Sequence, residues 1–98
     1  MEIVIFGRFH AKVGREAEVE VEAALREVQA PTRAEPGCLE LHLYRSLKDP
    51  RLYYVHSRWG DIASFERHAE LPHTLHMLEC VERLLDHPLD ITRSVLVS

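Results

Sequence analysis

Seven histidines and a single tryptophan are the side chains of this 98-residue chain best suited to chemistry. His73 and His76 stand one helical turn apart, and His68 lies five residues before the first of them. Three imidazoles are a competent set for Zn²⁺ or Fe²⁺. The other marks of a metal site are missing: there is no His-Glu-x-x-His motif, no carboxylate at ligand spacing and no Cys–His pairing. The expectation is therefore no metal, with these histidines on the surface or in a pocket. His10, His42, His56 and His87 are scattered over strands and turns. A nucleophile elbow of the Gly-x-Ser-x-Gly type is absent, and Gly7, Gly14, Gly37 and Gly60 are never grouped as a phosphate loop requires. Cys38 and Cys80 sit in apolar surroundings without Cys-x-x-Cys spacing and read as reduced thiols acting as small hydrophobes. No organic cofactor is expected.

What remains is a pocket. Alternation along the strand before it places Ser57 and Trp59 on one side, and the helices that follow bring His68 and His73 towards that side. With Leu41, Phe65 and Gly7 around it, an indole beside two imidazoles suits a flat aromatic ligand. The alternative is a core tryptophan with ordinary helix histidines, and spacing alone favours that plainer view.

The elements that would position these residues follow from periodicity. Glu2 to His10 is β-branched and aromatic and reads as a strand, ended by a turn at Val13-Gly14. Ala17, Val21, Ala24, Leu25 and Val28 recur at helical steps from Arg15 to about Ala30, with acids in the early turns and Pro31 closing the helix. The Glu35-Pro36-Gly37 turn leads into a strand from Cys38 to Arg45. There Leu39, Leu41 and Leu43 should share one face, and Cys38, Glu40, His42 and Tyr44 the other. Lys48-Asp49-Pro50 turns the chain into a third strand, Arg51 to Trp59. Asp61 caps a short helix carrying Ile62, Phe65 and Ala69, Pro72 breaks it, and a second helix runs from His73 to Leu85. Pro88 to Val97 is the last strand. The order βαββαβ is that of an α+β, ferredoxin-like domain with a four-stranded antiparallel sheet and helices on one face, and residues 1–98 form one domain.

Ile3, Val4, Ile5 and Phe6 are all apolar, so both faces of the first strand should be covered. One layer of helices covers one face; the other calls for a second copy, giving a homodimer of face-to-face sheets. The net charge of −4, with basic residues interleaved among acids, excludes a nucleic-acid partner. The lack of a long apolar run excludes a membrane span. A start that goes directly into a strand, without a basic leader, suggests a cytoplasmic protein.

Several short motifs occur in a telling order: His10 to Glu16, Glu35-Pro36-Gly37-Cys38-Leu39, Tyr44, Asp49-Pro50, Trp59, His68, Pro72-His73 and Leu89-Asp90-Ile91. Together they resemble the antibiotic biosynthesis monooxygenase family over essentially the whole chain. The resemblance implies a dimeric α+β barrel, and some members oxidise aromatic polyketides or quinols with O₂ and no metal or organic cofactor. Triplet O₂ reacts slowly with closed-shell molecules, so the substrate must be deprotonated and supply an electron while bulk water is kept out. By that resemblance His68 or His73 is the base or anion stabiliser, and Trp59, Ser57, Gly7, Phe65 and Leu41 line the substrate site. The partners implied are a small aromatic substrate and O₂. Non-oxidative isomerases and ligand-binding or stress-response modules on the same fold are the alternatives. One departure is Ser57, where relatives often carry an acid in a Glu-x-Trp pattern. Heme-degrading relatives fit poorly. Their first strand supplies an asparagine where this chain has Gly7, they carry a helix tryptophan where it has His68, and it contains no asparagine at all.

Overall fold

A computed structural model describes residues 1–98. The elements are β1 (Ile3–His10), α1 (Arg15–Glu27), α2 (Gln29–Arg33), β2 (Cys38–Arg45), β3 (Leu52–Trp59), α3 (Ile62–Ala69), α4 (Pro72–Val81) with a 3₁₀ turn over Glu82–Leu84, and β4 (Asp90–Ser94). The strands form one antiparallel sheet in the order β2-β3-β1-β4, the ferredoxin-like arrangement expected from the sequence. The last strand is shorter than its apolar run suggested, because pairing with β1 stops at Ser94 opposite Val4.

Pro31 does not end the first helical stretch. Without an N–H it cannot bond the carbonyl of Glu27, so α1 closes there. The chain stays in the helical region at Val28 and resumes as α2, with Thr32 and Ala34 donating to the carbonyls of Val28 and Ala30. The extra turn puts Gln29 and Thr32 inside. The second long helix likewise tightens after Val81 instead of running evenly to Leu85. Asp61 caps α3 as expected, its carboxylate accepting from the Ser64 N–H at 2.8 Å.

Alternation sorts the sheet into two faces. Ile3, Ile5, Phe9, Tyr53, Ser57 and Trp59 are buried beneath the helices, while Phe6, Tyr44 and Tyr54 look outward and stay at least 42% exposed. A β-bulge in β2 corrects the expected pattern. Cys38 pairs with Trp59 and Glu40 with Arg58, so Leu39 is the extra residue. Its side chain is 52% exposed, whereas Cys38 turns in against the small cluster of Ile3, Ile5, Trp59 and Phe65. Burial pushes the Cys38 thiol pKa up, with the nearby Glu35 carboxylate adding to the effect. A larger cluster of Phe9, Val21, Leu25, Tyr53, Val81 and Leu85 fills the other end of the sheet.

At that end His10 fastens three segments. One ring nitrogen meets Asp86, the other meets Asp49 in the β2–β3 turn at 2.7 Å, and the His10 backbone N–H donates to His87 Nε2 at 2.9 Å. Carboxylates only accept, so a ring nitrogen of His10 that bears a hydrogen donates it to the acid it faces.

Candidate active site

The two clusters leave a gap between the sheet and the helices, a cavity of about 300 Å³. Its wall is mainly apolar, with Ile5, Leu41, Val55 and Ile91 from the strands and Val28, Met77 and Leu78 from the helices. Gly7 lies on the floor, where a Cβ would come within 3.0 Å of both Phe9 and Ile91; its missing side chain is part of the cavity's volume.

Trp59 forms one wall, fully buried, its indole N–H donating to Ser57 Oγ at 3.0 Å. The Phe65 ring meets the indole edge-on with centroids 5.8 Å apart, and the His68 ring lies 4.9 Å from the indole. His68 therefore sits in an aromatic corner opening on the cavity.

Behind that corner is a group that spacing did not find. Glu35, only 7% exposed, places Oε2 at 2.8 Å from His68 Nδ1 and 2.6 Å from His73 Nε2. Since the carboxylate can only accept, each of these nitrogens carries its hydrogen. His68 is left with Nε2 unprotonated in its neutral form, and that atom has no partner within the chain. Thr74 Oγ1 lies 3.2 Å from His68 Nδ1 and completes the setting. His73 does not line the main cavity; it faces a smaller recess with Pro31, His76 and Met77 and meets His68 through Glu35. The sequence paired His73 with His76, but His76 instead lies 3.7 Å from the Cys80 sulfur. The spacing of the sequence offers no carboxylate ligand, yet the fold supplies one in Glu35. In the fold the Glu35, His68 and His73 donor atoms lie within 4.8 Å of one another, the only such trio able to hold a metal ion. As they stand, the contacts are direct hydrogen bonds.

Gly37 makes this meeting possible. Its φ of +91° suits glycine, and a Cβ there would fall 2.2 Å from Ser64 Oγ on α3. The turn carrying Glu35 is thereby pressed against the helix carrying His68.

The family model described as antibiotic biosynthesis monooxygenase matches residues 3–79. The chain belongs to that family. Among solved structures, PA3566 from Pseudomonas aeruginosa is 32% identical, with a TM-score of 0.88 over 99% of this chain and 95% of that one. Rv0793 from Mycobacterium tuberculosis is 26% identical, with a TM-score of 0.91 over 100% and 97% of the two chains. A structure described as an antibiotic biosynthesis monooxygenase is also 26% identical, with a TM-score of 0.88 and full coverage of both. No curated protein matches the chain.

Ser57 is the position at which the resemblance raised the expectation of an acid. Its hydroxyl holds the indole of Trp59, and the buried carboxylate of the site comes from Glu35, hydrogen-bonded to His68 Nδ1. Arg93 is the other residue that sequence reasoning missed. It reaches the cavity from β4, its guanidinium 5.3 Å from the Phe65 ring and 3.8 Å from Glu66. Its position inside β4 opposite Ile5 was the available signal, because that register puts it on the helix-covered face. For Glu35 no periodic signal exists, since it lies in a turn. No helix is long and apolar enough to cross a membrane.

Proposed function

We propose that the chain is a cofactor-independent monooxygenase that oxidises a small quinol or polycyclic phenol with O₂, with His68 as the base. The observation that carries this reading is the His68 ring, fixed through Nδ1 on Glu35 and stacked near Trp59 at the edge of an apolar cavity. A base oriented by a carboxylate on its far nitrogen is the arrangement that accepts a proton without reorienting, and Glu35 stabilises the imidazolium that results.

The substrate hydroxyl gives its proton to His68 Nε2. The resulting phenolate transfers an electron to O₂, and the reduced oxygen then couples at an activated ring carbon that bears hydrogen. One oxygen atom stays as a ring carbonyl, and the other leaves as water with the one hydrogen that the carbon bore and the proton held by His68, whose imidazole is thereby returned to its neutral form. Arg93, the one permanently charged side chain lining the cavity, favours the anion. The apolar wall keeps bulk water from quenching the radical pair. A dry cavity of about 150 Å³ holds benzene, so the 300 Å³ here suits a two-ring aromatic. His73, outside the cavity, positions Glu35 in this scheme. Trp59, Phe65, Leu41, Ser57 and Gly7 shape the site.

The outward sheet face, with Phe6, Tyr44 and Tyr54 uncovered, supports the further reading that the working unit is a homodimer.

Oxygen uptake with naphthalene diols is the test. The chain should accelerate it saturably, and His68→Ala should lower the rate by about 10²- to 10⁴-fold. Oxidation of every diol no faster than in buffer alone would overturn the proposal, and turnover persisting without O₂ would replace it with an isomerase.

A further inference from the structure

The Glu35 side chain is 7% exposed, and no lysine or arginine pairs with it. Its partners are two imidazoles, His68 through Nδ1 and His73 through Nε2, both on Oε2. Arg33, two residues earlier, is engaged elsewhere, donating to the Leu41 carbonyl and to Gln29. A buried charge is paired with an opposite charge or coordinates a metal. With both imidazoles neutral, this cluster holds one negative charge that nothing in the chain balances. Its three donor atoms lie within 4.8 Å of one another and come from three segments, the turn before β2, α3 and α4. Around a tetrahedral ion with bonds of about 2.0–2.2 Å, neighbouring donors stand roughly 3.3–3.6 Å apart. The contacts to Oε2, at 2.8 and 2.6 Å, reach that spacing when the carboxylate draws back by about 1 Å or less.

We infer that Glu35, His68 and His73 form a binding site for Zn²⁺, and that the bound ion blocks the base proposed above. Two imidazoles with one carboxylate suit Zn²⁺ and match Mg²⁺ poorly, since Mg²⁺ takes oxygen donors. The ion takes the place of the two N–H hydrogens directed at Oε2. Neither neutral imidazole gives up its hydrogen; it passes to the other ring nitrogen, Nε2 of His68 and Nδ1 of His73. His68 protonated on Nε2 no longer accepts a proton from a substrate hydroxyl. Water completes the shell beside His73, the most exposed of the three side chains at 27%. The binding site stands on the cluster alone, while the block rests on the reading of His68 as the base. Free metal thus sets the active fraction of the protein, reversibly and without taking part in the reaction.

The experiment is calorimetric titration of the native chain with Zn²⁺, which should show one ion per chain, removable with EDTA, and no uptake of Mg²⁺. In ¹⁵N NMR the ring signals of His68 and His73 should move, and those of His10 and His42 should stay. Losing an outer hydrogen-bond partner costs a metal site about 10- to 100-fold in affinity, and losing a direct ligand costs more. Glu35→Gln and His73→Ala should therefore each weaken Zn²⁺ binding by at least about 100-fold. His76→Ala, which removes the imidazole beside Cys80, should bind like the native chain. Oxygen uptake with 1,4-dihydroxynaphthalene, whose hydroxyls are too far apart to chelate the ion, should fall in step with occupancy and return with EDTA. A native chain that takes up no Zn²⁺, or takes it up with the His68 and His73 signals unmoved, overturns the site. That comparison needs no variant and holds even where one does not fold. Uptake of oxygen undiminished or accelerated by the bound ion overturns the block. If the metal-free chain oxidises no diol, the base reading fails and the block with it, while titration and NMR still judge the site.

Discussion

Replacing the Glu35 carboxylate by a carboxamide, Glu35→Gln, keeps its shape and removes the charge at the centre of the two-histidine cluster. In the native chain a single oxygen receives both imidazoles, at 2.8 and 2.6 Å, on a side chain that is 7% exposed. A hydrogen bond to a charged group contributes about 1.5–3 kcal/mol and a neutral one about 0.5–1.5 kcal/mol. Weakening both contacts therefore removes about 2–3 kcal/mol. The amide is easier to take out of water than the carboxylate, which returns part of this and leaves a net loss of about 1–2 kcal/mol. For a chain of this length that is a fall in Tm of roughly 4–16 °C. The effect on turnover is larger and has a separate cause. The new NH₂ competes with the imidazole N–H and favours the His68 tautomer protonated on Nε2, which no longer accepts a proton from substrate. A tautomer reversed in this way lowers kcat by about 10⁴ in a serine protease, and a loss of at least about 10² is expected here. Urea denaturation gives the first number, oxygen uptake the second, and ¹⁵N NMR of the imidazoles reads the tautomer directly. A variant with native stability and an unchanged His68 tautomer would show that Glu35 does not hold the ring.

Gly37→Ala places a methyl group 2.2 Å from Ser64 Oγ on a backbone with φ of +91°, and should cost about 2–4 kcal/mol in urea denaturation. A native-like midpoint would mean that the turn gives way freely. His10 sets an acid limit. It is the largest influence holding the Asp86 carboxyl below its ordinary 3.8, and it adds to the Arg51 backbone N–H in doing the same for Asp49. Carboxyls depressed in the fold contribute stability that is complete above about pH 3.8 and disappears as pH falls through their folded values. His10→Gln should flatten this acid limb of a pH series of melts; an unchanged limb would refute the link. Phe6→Asp puts a charge at the middle of the open sheet face and should convert a dimer into a monomer by light scattering, and a native chain that is already monomeric would overturn the pairing.

Much of the fold could be read from periodicity because burial on one sheet face imposes a strict two-residue rhythm. Ile3, Ile5, Ser57 and Trp59 obey it, and all four lie buried on one face of the sheet. The rhythm fails where the backbone inserts a residue: the bulge at Leu39 exchanges the faces of Leu39 and Cys38, and nothing in Cys-Leu-Glu-Leu announces it. The helix continuing beyond Pro31 escaped for a different reason. A proline forbids one backbone bond, not the helical path, and only the packing of α2 decides that the path resumes. His68 was legible as a candidate because the helix after the third strand carries it back towards Ser57 and Trp59, and the family resemblance lent it a role there. Glu35 was not, because its role depends on contacts 33 and 38 residues away in sequence, created by a turn whose glycine permits close approach.

Trp59 gives the molecule a built-in optical reporter. It is the only tryptophan in the chain, wholly removed from water and in contact range of the His68 ring. Its emission should therefore be blue-shifted in the free protein and should respond to the charge carried by that imidazole. Anything that enters the cavity changes the same signal. Occupancy, protonation at the site and loss of the fold can then be followed in one cuvette without a label, each at its own wavelength or pH.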